Sequence, residues 1–473
     1  MLARSTIRVA AFVLLVSVLR ASLHDVSQAW DSLYYHVPFA SRFSGMLGPD
    51  DYAFSTDNEE RFAGYAVLGE RLQGILYWCL GRPEGANLLS FFSVPALAVY
   101  LRVRHRVSAS LTVFALFALP LVQTHATSAY VDLPANTCAA IFLVEAFELA
   151  FGARRSKLRG RDLALALVPG ALAAHMRFQL APTVFLGLLL LAYAAWKSPK
   201  RNRFLAFLVL SGPVVYGKPV ANFVRFGNPV YPVELSIFGH ALPFHDTRYV
   251  AFPDYLEHAS QPSRFFHSIL EVGFPPLGTP LRWSVDQYAP AGTPTSRMGG
   301  TFAPYVVAMF VVFAFFAWKN HGHARKRFGF FAVLTLFVAP SPQSHDLRYY
   351  MVWPIVLVAS TLIAWTGSAR GPGARDLASR ITRHVLPVVI LASFMVVATT
   401  TSFEWLVPSG STFRELVAKR VDKKVIDGIQ EGESVCLWRP PFTFLYAAKF
   451  HGRRYRLVEG ESPAGCGSAR RIE

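Results

Sequence analysis

The stretch Trp30-Asp31-Ser32-Leu33-Tyr34-Tyr35-His36-Val37-Pro38 sets a carboxylate among hydrogen-bonding aromatics directly after the first long apolar run. A carboxylate placed there can take the proton of a hydroxyl arriving from water while a lipid-borne substrate waits in the bilayer. A second acid, Asp132, stands in the short turn Ser128-Ala129-Tyr130-Val131-Asp132-Leu133-Pro134. Another short turn carries His175, Met176, Arg177, Phe178 and Gln179, and a third carries Gln343, Ser344, His345, Asp346, Arg348, Tyr349 and Tyr350. Lys218 and Arg225 stand ahead of Phe226-Gly227-Asn228-Pro229-Val230-Tyr231-Pro232. Arginine suits a phosphate because its planar fork gives two parallel hydrogen bonds.

The same residues also fit plainer roles. Asp31 would cap a helix starting at Ser32, and Asp132 would cap the fourth apolar span, with Pro134 in its first turn. Arg177, Lys218, Arg225 and Arg348 would snorkel to lipid headgroups. Asn228 would shape a rigid turn. Trp30, Tyr34, Tyr35, Tyr349 and Tyr350 suit an interfacial belt. His36 and His345 suit hydrogen bonding better than metal ligation.

The elements that must position these groups are membrane helices. The chain has 473 residues, 53% of them hydrophobic and only 16% charged, with a mean hydropathy of +0.32. That is too little charge to cover a soluble chain of this length. Apolar runs long enough to cross about 30 Å of hydrocarbon recur. About 11 transmembrane helices are expected, centred near residues 15, 94, 116, 142, 169, 188, 212, 310, 334, 358 and 395. The fold class is an all-α polytopic membrane protein.

The net charge of +17 is placed in alternate short loops: Arg102 to Arg106, Arg154 to Arg161, Lys197 to Arg203, Lys319 to Arg327 and Arg370 to Arg383. This is the positive-inside pattern, and it accounts for the charge better than nucleic-acid binding does. It puts the N-terminus in the cytoplasm and the C-terminus outside an inner (plasma) membrane. Arg4 and Arg8 before an apolar stretch also fit a signal peptide. Arg20 interrupts that stretch and no small-x-small cleavage site follows, which favours a retained anchor.

On this topology the site turns lie outside with two long loops, residues 24–86 and 221–300. Within the first, Arg61 to Leu80 has helical apolar spacing around Glu70 and Arg71, as expected of one interfacial helix. Residues 1–405 then form a transmembrane module, and 406–473 a small external α/β appendage. In the appendage Phe413 to Ile429 is expected to be helix, Ser434 to Trp438 and Tyr455 to Val458 strands, and Pro440 to Lys449 a helix. Cys79 and Cys138 read as packing residues, and Cys436 with Cys466 as a possible external disulfide. No zinc spacing or nucleotide loop occurs. No cofactor is required by any motif, and a divalent metal is compatible with the acids present.

With these residues in place the chain resembles the GT-C superfamily of membrane glycosyltransferases, nearest its protein-mannosyltransferase-like and aminoarabinose-transferase-like branch. The resemblance rests on the acid in WDSLYYHVP, the acid in YVDLP, the GNPVYP segment, and the Arg-Tyr pair of LRYYMVWP. It implies a GT-C fold and a polyprenyl-phosphate sugar donor. It also implies transfer with inversion to a glycan, lipid or protein acceptor on the outer face. Asp31 would be the general base and Asp132 an orienting acid. Arg177 and Arg348, then Lys218 and Arg225, would hold the phosphate, with Tyr35, His36, His345 and Tyr349 lining the site. The chain departs from better-known members in its His-rich 240–267 stretch and short tail. Two other readings stay open: an O-antigen ligase or polymerase using a diphosphate-linked glycan, and a polytopic transporter or flippase.

Overall fold

The structure, a computed structural model, describes residues 2–152, 158–237, 239–246, 256–270, 300–319, 322–368, 377–462 and 469–471. It is mostly helical. The chain opens with α1 (Leu2–His24), followed by a π-helical turn (Ser32–His36), α2 (Val37–Phe43), β1 (Tyr52–Ala53), α3 (Thr56–Gly64) and α4 (Leu68–Leu80). A series of apolar helices follows: α5 (Leu88–His105), α6 (Ala109–Phe117), α7 (Pro120–Ala126), α8 (Asp132–Phe151), α9 (Gly160–Met176), α10 (Ala181–Trp196), α11 (Arg201–Val215) and α12 (Gly217–Phe226). The second long loop holds the ribbon β2 (Ser236–Ile237) and β3 (His240–Ala241), then α13 (Gln261–Leu270). The remaining long helices are α14 (Ala303–Lys319), α15 (His323–Val338), α16 (Val352–Ser368) and α17 (Leu377–Thr400). The tail holds α18 (Phe413–Arg420), α19 (Lys423–Asp427), β4 (Ser434–Leu437), β5 (Arg456–Glu459) and β6 (Arg470–Arg471).

Each of the expected apolar centres falls inside one of these helices. Among the described residues, 4 helices are long and apolar enough to cross a membrane, or up to 6 if each bent pair is one span. The bent pairs are α6 with α7, at 98°, and α11 with α12, at 58°. Pro120 opens α7 and cannot continue the ladder from α6. At the second bend His175 Nε2 donates to the Val214 carbonyl at 2.8 Å, and Gly217 leaves room for that ring. Val209, Leu210 and Val224 stay 75%, 76% and 81% exposed. Such an apolar surface is unfavourable in water and expected against lipid.

The helices share one core, in which Leu97, Phe114, Phe142, Phe147, Phe313, Leu334 and Ile355 are buried. At one end of it Glu145 takes Arg104 and the Tyr100 hydroxyl, and Glu148 takes Arg327 and His323. These pairs tie α8 to α5 and α15. Asp132 opens the same helix α8, roughly 20 Å from Glu145 at ~1.5 Å per residue. The pairs therefore anchor the end of the bundle opposite Asp132.

A second core joins Leu33, Phe39 and Tyr52 of the first loop to Leu416, Val435, Leu445 and Leu457 of the tail. It underlies a four-stranded sheet of order β1-β5-β4-β6, in which β1 pairs with β5, and β4 with β5 and β6, all parallel. This corrects the expected division at residue 406. The tail is not a separate appendage, because the first loop supplies one edge strand and part of its core. The expected 413–429 helix is broken at Val421, where the Asp422 side chain caps α19 through Lys424 N at 2.9 Å. Pro440 to Lys449 forms short 3-10 turns rather than a helix. The expected 61–80 helix is also two helices. Gly64 ends α3 against the Tyr231–Pro232 backbone, where a Cβ would come within 2.6 Å of the Tyr231 carbonyl. Helix α4 leaves Ile75, Trp78 and Leu80 exposed. Cys79 is exposed rather than packed, and Cys138 is half-buried. Cys436 is disulfide-bonded; Cys466, its expected partner, lies outside the described residues.

Glu459 fastens this sheet to the first loop. It accepts from Asn58 Nδ2 at 2.9 Å and from Ser55 N at 3.2 Å. Burial raises its carboxyl above the ordinary value, against the pull of the Asn58 and Ser55 donors. The folded state thus binds this proton more tightly than the unfolded chain does. The stability it contributes is full below the ordinary carboxylate range and is lost as pH rises through the raised value. Protection of the Leu457 amide, which donates to the Asp51 carbonyl, is expected to fall in wild type as pH rises above the ordinary carboxylate range through the raised value, and to stay flat in Glu459→Gln.

Candidate functional site

Asp31 does not cap. It has helical backbone angles, and its side chain makes no cap bond to the turn that follows. That π-helical turn brings the Tyr35 hydroxyl back to donate to Asp31 Oδ2 at 3.1 Å. Arg348 Nη1 donates to the same oxygen at 3.0 Å, and the Asp31 amide donates to the Tyr130 hydroxyl at 3.3 Å. The carboxylate is thus fixed through Oδ2, while Oδ1 has no partner among the described residues. The Asp31 side chain is 20% exposed, so Oδ1 can be reached. Burial, then the Asp31 charge, pushes the Tyr35 hydroxyl well above its ordinary value, and it remains a donor.

Arg348 is committed to the protein. Besides Asp31 it donates from Nε to Asp346 at 3.1 Å and from Nη2 to the Tyr349 hydroxyl at 2.7 Å. Its backbone is fixed as well, since Asn136 Nδ2 donates to the Arg348 carbonyl at 3.0 Å and Asn136 Oδ1 accepts from Val352 N at 2.8 Å. Asn136 stands one turn along α8 from Asp132, whose carbonyl it also reaches at 2.8 Å. Helix α8 therefore registers both halves of the site.

Asp132 is the first residue of α8 rather than its cap. It is fully buried, and its Oδ2 accepts from Arg177 Nη2 at 2.7 Å. Asp132 Oδ1 and Arg177 Nε are buried with no hydrogen-bond partner. Of the five N–H donors a guanidinium carries, Arg177 uses one, and the others find no partner among the described residues. The arginine is 7% exposed, so it is not a headgroup anchor. Both guanidinium groups sit by the Tyr349 ring, Arg348 at 4.7 Å and Arg177 at 5.7 Å. Asp31, Tyr35, Asp132, Arg177, Arg348 and Tyr349 thus form one cluster drawn from the first loop and three turns.

The other expected residues lie around it or away from it. His36 is fully buried, and its Nδ1 is 2.8 Å from Glu70 Oε1, which explains how α4 carries an acid at that position. His345 is buried, with Nδ1 3.1 Å from Gln261 Nε2, and its carbonyl accepts from Ser268 at 2.5 Å. Its contacts hold α13 to the Arg348 turn. Lys218 is half-buried and donates to the Ala63 carbonyl at 2.5 Å. Arg225 is exposed, with its guanidinium 4.8 Å from the Phe226 ring centre. Asn228 donates to the Val233 and Pro243 carbonyls and so shapes its turn. Tyr130, Asn136 and Glu70 were not singled out from sequence as site groups. Only Asn136 left a signal, its one-turn spacing from Asp132 on a helix.

The cluster offers an acid oxygen open to a hydroxyl and, beside it, a buried arginine with unused donors. No group of three or more His, Cys, Asp or Glu side chains with metal-binding placement occurs among the described residues. No protein-family model matches the chain, and no curated protein matches it.

Proposed function

We propose that the chain is an integral membrane glycosyltransferase of GT-C type. It takes one sugar from a polyprenyl-phosphate donor and passes it to an acceptor hydroxyl at the outer face of an inner (plasma) membrane. The observation that carries this reading is the pairing of an open Asp31 Oδ1 with the unused donors of Arg177. Asp31 Oδ1 takes the acceptor proton, and the acceptor oxygen bonds to the anomeric carbon from the face opposite the phosphate. The bond from that carbon to the phosphate oxygen breaks, and its electron pair leaves with polyprenyl phosphate. Arg177 offsets the charge gathering there. Arg348, with three donors already engaged, holds Asp31 in place and does not serve the phosphate.

The sheet is compatible with the 11 spans of this reading, through parity alone. Because β1 pairs with β5, residues 53 and 456 share one side of the membrane, so the chain between them crosses an even number of times. The helices available are α5, α6 with α7, α8, α9, α10, α11 with α12, α14, α15, α16 and α17; α1 adds the odd one. In a Cys79→Ser background, cysteines at Glu257 and Glu431 are expected to label from outside intact cells and one at Lys200 only after permeabilisation. The reverse pattern would place the site in the cytoplasm.

The direct test is release of polyprenyl phosphate from radiolabelled polyprenyl-phosphate hexoses and pentoses, with liposome-reconstituted protein and a cell-envelope extract as acceptor. Transfer from a diphosphate-linked glycan alone would favour the ligase reading. The bent pairs α6–α7 and α11–α12 are what a transporter reading draws on; movement of the lipid-linked sugar across vesicles without release of polyprenyl phosphate would favour it.

A further inference from the structure

Helix α3 turns one face to the second long loop. Along it Asp57 meets His245 Nε2 at 2.7 Å, Glu60 accepts from the Tyr231 hydroxyl at 2.6 Å, and Arg61 meets Asp246. The last contact differs from the others. Arg61 holds both Asp246 oxygens, Nε to Oδ2 at 2.9 Å and Nη2 to Oδ1 at 3.3 Å. Asp246 Oδ2 also accepts from the Tyr65 hydroxyl at 3.3 Å. The Tyr65 ring meets the Tyr35 ring edge-on, with centroids 5.8 Å apart and planes at 77°. Tyr35 in turn donates to Asp31 Oδ2. Burial raises the Tyr65 hydroxyl against the pull of Arg61, so it stays a donor to Asp246.

We propose that Arg61, Tyr65 and Asp246 are positioning residues for Asp31, acting through the Tyr35 ring. This rests on the reading of Asp31 as the base. Asp246 fixes the Tyr65 hydroxyl, Tyr65 sets the plane of Tyr35, and Tyr35 sets the direction in which Asp31 Oδ1 faces the acceptor. The second long loop thereby bears on the reaction although Asp246 touches no reacting atom. The His245 and Tyr231 contacts hold the same segment, but neither bonds Tyr65 or Tyr35.

The test uses the full chain in liposomes and a polyprenyl-phosphate sugar that wild type turns over and Asp31→Asn does not. Tyr65→Phe keeps the ring and removes only the hydroxyl. It and Asp246→Asn are expected to lower kcat about 10-fold, with donor KM unchanged, because small misplacement of a reacting group is costly. The double variant should be no worse than either single, since both break one path. Asp246→Glu should recover part of the loss. His245→Ala, which loosens the same segment elsewhere, should leave kcat as it is. Wild-type kcat in both Tyr65→Phe and Asp246→Asn would overturn the proposal, as would an equal fall in His245→Ala. If wild type turns over no polyprenyl-phosphate sugar, the reading of Asp31 fails and this inference falls with it.

Discussion

Asp31→Asn is expected to reduce sugar transfer by about 10²- to 10⁴-fold, the usual range for removing a positioned general base. Asparagine keeps an oxygen where Tyr35 and Arg348 donate to Oδ2, so the site should keep its shape while losing the group that takes the proton. Donor binding should therefore survive. Retained turnover in Asp31→Asn would reject the mechanism. Asp132→Asn should behave differently. It leaves the buried Arg177 without its counter-charge, and breaking a buried pair by removing one partner typically destabilises by about 3–5 kcal/mol. Its loss of activity should come with a lower thermal midpoint in detergent, and that of Asp31→Asn should not.

The apolar runs were legible because a bilayer favours apolar helices, and every expected centre lies in a helix, although the one near residue 116 lies in the short α6, bent from α7 by 98°. The site was legible for a related reason. Polar residues are costly within spans, so Asp31, Asp132, Arg177 and Arg348 had to gather in the turns, and the turns of one end meet. Their assignments were harder. Arg177 and Arg348 look alike in sequence, each beside an aromatic in a short turn. Only the structure shows that Asp346, Tyr349 and Asp31 already occupy Arg348, while Arg177 keeps donors free.

The contacts that were missed are long-range and leave no local period. Strand β1 has only two residues, Tyr52 and Ala53, and its partners in β5 lie some four hundred positions on. Two residues cannot show alternation, so the division at 406 looked natural. Glu70 read as a charge that must avoid lipid, which is sound, but its solution is a buried histidine rather than water. The same holds for Tyr65. Its meaning depends on Asp246, 181 positions away.

The second large effect is expected at Arg177, read in donor binding rather than turnover. A hydrogen bond to a charged group contributes about 1.5–3 kcal/mol, so losing the phosphate contact should weaken donor affinity by about 10- to 100-fold. Arg177→Lys keeps the charge that pairs with Asp132 but removes the planar fork. It should retain folding and still lose most of that affinity. Arg177→Ala would leave Asp132 buried and unpaired, so it belongs with Asp132→Asn in a double variant that removes the charge on both sides. Arg348→Lys is the contrast. It loses the fork that spans Asp31, Asp346 and Tyr349, and should cut kcat while leaving donor affinity near wild type. Equilibrium binding of a fluorescent polyprenyl phosphate, at constant lipid composition, separates the two. Wild-type affinity in Arg177→Lys and in the double variant would take Arg177 out of the donor site. A loss in Arg348→Lys as large as in Arg177→Lys would mean that the two arginines share the phosphate despite the bonds Arg348 already makes.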